Sequence, residues 1–414
     1  MAKTKMAVGY ASGDEAFVSG KKLAESVISG GQSELPNIAF AFFSGKMDSD
    51  QFLKGLQSTL GSGTPVVGGS TIGIITNDYL SYEGNNAVLA LIQSDSIHFK
   101  VATANKLDEG EKTAGRKLGQ ALGDTSQAKL LLILYDSVRV PPTEVSPPVL
   151  NASMPLLSGI EEILGSNIPI LGAGLLRDYN FSPPKLFCGF HADSQSVVGV
   201  SVSGNFEPYY CIMHGCRPLD GTYYTITKID GSILYELNGM PIVEIIDDLF
   251  GNSEWQKERP LQQLTIGVNY GAKYGKPEEN KYVNRLIMGL APRRQGVYLF
   301  EPDLEEGMEV QFMLRDTEGM VASARDNSAA LVHQIQKDQK RPLFGVYIDC
   351  AGRAGGFLNV PYEEASEVQK IFKEQGIPLL GFYSGVEICP LMDKSRGLDW
   401  TGVLVVFTED GRNA

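Results

Sequence analysis

The stretch TPVVGGSTIGII (Thr64 to Ile75) runs from a proline through two valines into a glycine-rich turn. The chain repeats this phrase as NIPILGAGLLRD (Asn167 to Asp178) and as GIPLLGFYSGVEICP (Gly376 to Pro390). Each copy begins with an apolar run behind a proline, which a sheet tolerates at the start of a strand. Three copies indicate a repeated supersecondary unit, and this unit decides the fold.

The residues around the phrase repeat as well. In the first copy, the helical patterns Asp14 to Ser29 and Asp48 to Gly61 enclose the apolar run NIAFAFF (Asn37 to Phe43). An apolar strand follows each copy: NAVLALIQ, SVVGVSVSG or TGVLVVFTE. The other two units show the same order, with predicted helices at 109–123, 154–165, 323–339 and 361–376 and predicted strands at 128–137 and 343–352.

The connections within a unit indicate the fold class. A strand–helix–strand connection is a right-handed crossover that gives parallel strands, and we expect the last strand of each unit to return antiparallel. The sequence therefore predicts an α/β fold, in which repeated helix–strand–helix–strand units form mixed β-sheets flanked by helices. Between units two and three, Gly221 to Arg315 departs from the repeat and alternates like strands. We therefore predict two domains, 1–218 and 219–414.

Composition limits the partners. The formal net charge of −13 argues against a general nucleic-acid or anionic-membrane surface. The N-terminus has no apolar signal-peptide core, and no apolar run is long enough to span a bilayer. The five cysteines show no CxxC motif or framework spacing, which favours free thiols in the cytoplasm.

Several phrases together resemble the FIST family, whose proteins pair an N-terminal and a C-terminal FIST domain. They are PVVGGSTIGII, HGCRPLDGTYYTITKIDGSILYELNGMPIVEII, CAGR (Cys350 to Arg353) and GFYSGVEICP. The resemblance implies a sensory module of signal transduction that binds a small ligand such as an amino acid. Some similar proteins bind haem and report nitric oxide to a partner histidine kinase. The family's N-domain phrase often carries Cys and Glu where this chain has Gly69 and Ile74, so a second site in the N-terminal half is in doubt.

Cys350 and Arg353 lie at the end of a predicted buried strand, and strand ends of crossover sheets are where ligands usually sit. Arg353 is suited to bind a carboxylate in a bidentate manner and to lower the pKa of Cys350. The alternative is a small buried Cys350 and an Arg353 that pairs with a structural acid.

Glu387 is a single acid among apolar neighbours, and an unpaired buried carboxylate is costly. It is expected to receive a ligand ammonium opposite Arg353 or to pair with Arg353. The alternative is that it lies exposed in a loop. Ser384, in the same phrase, is a further candidate ligand-binding residue. Gly69, Ser70 and Thr71 are candidates as well, because their backbone N–H groups are suited to bind an anion. The alternative is that these residues only form a tight turn.

The four histidines lack chelate spacing, so we predict no metal site. A haem needs one proximal histidine, for which His214 is the first candidate and His191 the second. The sequence thus predicts a cytoplasmic small-ligand sensor rather than an enzyme, with a haem-based nitric oxide sensor as the alternative. An enzyme that uses Cys350 as its nucleophile is a third interpretation.

Overall fold

A computed structural model describes residues 4–30, 36–143 and 148–411. The first unit consists of β1 (Thr4–Ser12), α1 (Ala16–Ser29), β2 (Ile38–Ser44), α2 (Ser49–Leu60), β3 (Val66–Thr71), β4 (Ile74–Thr76), β5 (Leu80–Ser81) and β6 (Asn86–Ser94). The second consists of β7 (Ile97–Asn105), α3 (Glu111–Leu122), β8 (Ala128–Asp136), β9 (Val138–Val140), β10 (Val149–Leu150), α4 (Ser153–Leu164), β11 (Ile170–Leu175), β12 (Leu186–Cys188), β13 (His191–Asp193) and β14 (Ser196–Gly204).

The third unit opens with β15 (Glu207–Met213) and is then interrupted by residues 217–315, which we call the inserted region. This region contains β16 (Arg217–Pro218), β17 (Tyr224–Asp230), β18 (Ile233–Leu237), β19 (Met240–Pro241), α5 (Ile242–Phe250), β20 (Leu264–Asn269), β21 (Tyr282–Arg285), β22 (Ile287–Leu290), β23 (Val297–Leu299) and β24 (Glu309–Leu314). The unit resumes with α6 (Thr317–Lys337), β25 (Lys340–Cys350), α7 (Gly355–Leu358), α8 (Ala365–Glu374), β26 (Leu379–Ser384), β27 (Val386–Leu391), β28 (Lys394–Leu398) and β29 (Gly402–Asp410).

Each unit builds most of one six-stranded mixed sheet, as the repeat predicts. In the first sheet, β2 and β3 run parallel and β6 lies antiparallel to β2. β8, β11 and β14 have the same relation in the second sheet, and β25, β26 and β29 have it in the third. The predicted α/β class with mixed sheets is therefore confirmed. The leading strands β1, β7 and β15, which the sequence analysis did not identify, complete the sheets beside the last strand of each unit.

The glycine phrases exchange hairpins between the units. β4 and β5 of the first unit join the third sheet, β12 and β13 of the second join the first sheet, and β27 and β28 of the third join the second sheet. Asn77 fastens one such hairpin, because its side chain donates to Ile377 O and accepts from Leu379 N, both at 2.8 Å. The repeated turn is therefore the point at which each unit crosses to its neighbour.

Alternation along the strands positions the core. On β2, Phe40 and Phe42 face a core shared by all three sheets, whereas Ala41 and Phe43 pack under α1 and α2. The shared core contains a cavity of about 30 Å³ that is lined by apolar residues. The space enclosed by the three units is therefore filled with apolar side chains.

Local signals explain the helix ends and some differences from prediction. The Asp48 carboxylate accepts from the N–H groups of Asp50 and Gln51 at 3.0 Å and begins α2. The helix predicted from Pro361 begins at Ala365, because Glu363 instead accepts from Gly355 N and from the Tyr383 hydroxyl. The helix predicted from Ser323 begins earlier, at Thr317, where Asp316 caps it.

The inserted region forms its own nine-stranded sheet, in the order β21-β20-β24-β17-β18-β23-β22, with β16 beside β24 and β19 beside β18. The predicted boundary between residues 218 and 219 follows β16 at the start of this sheet, and it stays a prediction. Within the described ranges, no helix is both long and apolar enough to cross a membrane.

Candidate functional site

Cys350, Ser384 and Glu387 come together at the ends of β25 and β26. Cys350 and Ser384 are register partners, and the Ser384 hydroxyl lies 2.8 Å from Glu387 Oε1 and 3.1 Å from Asp349 O. The Thr401 N–H also donates to Glu387, at 3.3 Å. Glu387 is fully buried in this cluster, and burial raises its pKa well above the ordinary range. The carboxyl group thus has protein partners and no solvent contact.

Arg353 lies beside this cluster with its donors engaged. Its Nε and Nη2 atoms donate to the two oxygens of Glu364 at 2.7 and 2.5 Å. Its Nη1 atom donates to His214 O at 2.8 Å and to Trp400 O at 2.7 Å. The guanidinium therefore joins the turn after β25 to the strand ends around it, and in this arrangement it does not face Glu387 across a ligand. Its ligand-binding role stays a prediction.

Burial raises the pKa values of Asp349 and Cys350 at this strand end. Both carboxylate oxygens of Asp349 lack a hydrogen-bond partner, although Arg353 Nε lies 3.5 Å from Oδ1. Burial, followed by the neighbouring Glu364, raises the pKa of Asp349 well above its usual value. Burial also raises the pKa of the Cys350 thiol, which outweighs the lowering effect of Arg353. Burial therefore favours the protonated thiol over the thiolate, which is the nucleophilic form.

Aromatic side chains from the other two units cover the Cys350 strand end. Tyr179 donates to Ala351 O at 2.9 Å and stacks on Phe357 with ring centroids 4.8 Å apart. The Tyr82 hydroxyl accepts from Gly356 N at 2.8 Å. The loops of all three units therefore meet over the CAGR turn and separate Cys350 from solvent.

The residues of the first glycine phrase hold exchanged hairpins. Gly69 pairs with Leu186 of β12, where a Cβ atom would overlap the carbonyl oxygen of Lys185. The Ser70 hydroxyl accepts from Lys185 N at 2.9 Å, and the Thr71 hydroxyl donates to Tyr383 O. Thr71 therefore contacts the third sheet, whereas Gly69 and Ser70 contact the second unit's hairpin. A direct contact of these residues with a ligand stays a prediction.

The two histidines predicted as haem ligands lie in different surroundings. His214 is buried, its Nδ1 accepts from Cys216 N at 2.9 Å, and its Nε2 lies 3.0 Å from Glu279 O. Burial also lowers the pKa of His214. His191 lies exposed on β13, paired with Cys188. Both ring nitrogens of His214 therefore have protein partners, and haem binding by His214 or His191 stays a prediction. In the described ranges, no cluster of three or more His, Cys, Asp or Glu side chains is suited to hold a metal ion.

Arg315, the last residue of the inserted region, is a site residue that the sequence alone did not indicate. The side chain is 4% exposed, and its guanidinium stacks on the Trp400 ring at 3.7 Å. Its Nη2 atom donates to Gly352 O in the CAGR turn at 2.9 Å, and its Nη1 atom donates to Gln262 O at 3.1 Å. In the sequence, Arg315 stands between a buried strand and the start of a helix. A basic residue at such a position, where the side chain turns inward, was the available signal.

A cavity of about 350 Å³ lies beside Arg315, and we call it the junction cavity. Its lining includes Gln262 and Gln263 of the inserted region, Thr317 at the start of α6, and Leu358 and Val360 after the CAGR turn. The volume is at the lower end of the range for small-molecule sites. The cavity therefore lies where the inserted region meets the third unit.

These features define a two-domain α/β protein with exchanged hairpins and a cavity of small-molecule size. A model of the FIST N domain matches residues 37–240, and a model of the FIST C domain matches residues 243–390. The chain therefore belongs to the FIST family, as the repeated phrases and CAGR predicted. FIST domains are small-ligand sensory domains of signal transduction.

Individual relatives give less information about function than the family match does. Rv0628c, an uncharacterized protein of Mycobacterium tuberculosis (strain H37Rv), is 26% identical over 226 residues, covering 54% of this chain and 57% of that protein. Mb0898c, an uncharacterized protein of Mycobacterium bovis, is 25% identical over 227 residues, covering 55% and 57%. The chain thus spans little more than half the length of these relatives.

Solved structures with some likeness include cyanuric acid hydrolase from A. caulinodans, with a TM-score of 0.35 and 9% identity over 98% of this chain and 99% of that chain. PurLQS from Thermotoga maritima has a TM-score of 0.24 and 10% identity over 99% and 73%. Likeness at these scores supports no conclusion about function.

Proposed function

We propose that the protein is a cytoplasmic sensor of a small ligand, an amino acid or a similar molecule, which passes its bound state to a signalling partner such as a histidine kinase. The observation that carries this proposal is the junction cavity, because its wall combines the inserted region, the start of α6 and the loop after the CAGR turn. A ligand in this cavity would contact all three segments at once. Its binding would therefore favour one arrangement of the inserted region over another.

The residues predicted from the sequence have supporting roles in this proposal. Arg353, Cys350, Ser384 and Glu387 hold the CAGR turn and its strand end, and this turn positions both Arg315 and the Leu358 wall through Gly352. Gly69, Ser70 and Thr71 would transmit changes between units, since they fasten the exchanged hairpins. The absence of disulfides among the five cysteines supports a reducing compartment.

The test is a thermal-unfolding screen with the common L-amino acids. Wild type is compared with Leu358→Trp, which fills the cavity, and with Leu249→Trp, which adds the same bulk to a partly exposed position on α5. We expect at least one amino acid to stabilise wild type and Leu249→Trp but not Leu358→Trp. A ligand at a hundred times its Kd stabilises the folded state by about 2.7 kcal/mol. If no amino acid shifts the wild-type transition, the amino-acid form of the proposal fails.

The haem-based alternative, a nitric oxide sensor, finds no support in the surroundings of His214 or His191. Its test is the visible absorption spectrum of protein purified with haem supplied, and a Soret band would restore it. The alternative of an enzyme with Cys350 as nucleophile needs an accessible thiolate, which burial disfavours. Alkylation of Cys350 below pH 8 at the rate of an exposed thiol would revive that interpretation.

A further inference from the structure

Three arginines of the described chain are fully or almost fully buried, and they differ in their partners. Arg285 binds both carboxylate oxygens of Asp303, and Arg353 binds both carboxylate oxygens of Glu364. Arg315 forms no ion pair with any acid in the described ranges 4–30, 36–143 and 148–411. Its hydrogen bonds go to two uncharged backbone carbonyls. The charge of Arg315 is therefore the one among these three that the described chain leaves uncompensated.

Around Arg315, the buried hydrogen-bond donors also outnumber the acceptors that the described residues offer. Its Nε atom is buried without a hydrogen-bond partner, and so is the indole Nε1 of Trp400, the ring on which the guanidinium stacks. Buried donors in native proteins normally find an acceptor, because an unsatisfied donor destabilises the fold. Two neighbouring donors without acceptors indicate that an acceptor-rich group completes this part of the fold.

The surroundings favour a group with a single negative charge. Burial and the neighbouring Arg353 lower the pKa of Arg315 to about 10, so the protein itself disfavours its cation. The acid on the cavity wall, Asp316, already accepts from Gly319 N at 2.7 Å and lies 3.6 Å from Arg217. Asp316 would repel a dianion, and Arg315 is the one basic residue on the cavity wall. Met320, Leu358 and Val360 add apolar side chains to a wall that also contains Gln262, Gln263 and Thr317.

We infer that the junction cavity binds a small monocarboxylate whose anionic group pairs with Arg315. A planar guanidinium matches the two oxygens of a carboxylate, and such charge-assisted pairs are the stronger hydrogen bonds. This inference rests on the cavity of the proposed function and names the chemical group recognised there. It assigns the direct contact to Arg315, whereas Arg353 remains paired with Glu364.

The experiment measures the effect of four carboxylates on wild-type unfolding: acetate, propionate, butyrate and benzoate, each compared with its uncharged amide and with inorganic phosphate. We expect carboxylates to stabilise the protein and the amides to have no effect. Arg315→Gln should weaken carboxylate binding by roughly thirtyfold or more. Arg325→Gln, at an exposed position on α6, should bind as wild type does.

Arg315→Lys serves as a second variant that keeps the positive charge without the planar fork. We expect it to fold and to bind carboxylates more weakly than wild type. The inference is overturned if no carboxylate binds wild type, if amides bind equally well, if phosphate binds best, or if Arg315→Gln keeps the response. One combination of results separates this inference from the proposed function. If amino acids stabilise wild type but not Leu358→Trp, and amides stabilise wild type as much as carboxylates do, the proposed function stands and this inference alone fails.

Discussion

The first and third units share one strand order, yet their interiors are held together differently. In the described part of the first unit, no acidic or basic side chain is buried, and α1 and α2 cross on Gly20 and Gly55 with backbones in close approach. The third unit buries Asp349, Arg353, Glu364, Glu387 and Asp399. Its helices α6 and α8 have no glycine at a crossing. Close packing is thus enough to build the repeated sheet, so the charges of the third unit need another explanation.

The contact with the inserted region supplies that explanation. Arg353 reaches the backbone of His214 and Trp400, and Asp399 accepts from Leu286 N of the inserted region at 2.8 Å. Charged groups with fixed partners specify one geometry at a junction. Apolar packing specifies the geometry less strictly. The charged residues that depart from the repeat therefore mark the place where the third unit contacts the inserted region.

Arg353→Gln tests this reading and should have the largest effect. The substitution leaves Glu364 and Asp349 buried without their cation, and breaking a buried ion pair in this way typically costs about 3–5 kcal/mol. Urea unfolding of wild type and variant measures the difference. Arg325→Gln, whose partner Asp326 is exposed, should leave the free energy of unfolding close to that of wild type. Equal stability of the two variants would mean that the third unit does not depend on its charges.

Much of the fold was predictable because it repeats. The apolar runs of β2, β8 and β25 and their flanking helices are short-range patterns, and three copies make each more certain. The exchange of hairpins was not predictable, because it depends on which sheet edge β4, β12 and β27 meet in space. Single residues such as Asn77, which binds Ile377 and Leu379 three hundred positions away, fix that choice without any local signal.

The sequence brought together the strand ends that carry CAGR and GVEI, but it did not predict the contacts of their side chains. It placed Arg353 with Glu387. In the structure Arg353 pairs with Glu364, which the sequence assigned to a helix. Arg315 escaped notice because its lack of an acid partner is a property of the folded surroundings. A missing partner leaves no mark in the local sequence.

The acids at the junction predict a pH dependence that the first unit lacks. Burial raises the pKa of Glu301, which accepts from Ser153 N at 3.2 Å, to about 8, and that of Asp399 to about 6. Both values exceed those of the unfolded chain, so the folded protein binds more protons between pH 4 and 8. The stability from these groups is complete at low pH and is lost as pH rises through 6 and then 8.

Urea unfolding measured from pH 5 to pH 8 should show this loss, at roughly 1 kcal/mol per pH unit for each group within its range. Asp303 and Glu279 do not mask it, because their pKa values are lowered and they stay ionised above pH 5 in both states. Glu301→Gln should flatten the slope above pH 6. Glu25→Gln, on the exposed face of α1, should leave it unchanged. A slope unaffected by Glu301→Gln would place its origin elsewhere.

Gly55→Ala tests the other side of the comparison, the close packing of the first unit. A Cβ atom at Gly55 would overlap the carbonyl oxygen of Phe17 on α1, and backbone cannot yield as a flexible side chain does. Overpacking of this kind costs about 1–3 kcal/mol, offset in part by the better helix propensity of alanine. Gly63→Ala is the matched control, because nothing lies within 4 Å of its added methyl group. If both variants unfold at the same urea concentration as wild type, the α1–α2 crossing tolerates separation, and the contrast between the two units rests on charge alone.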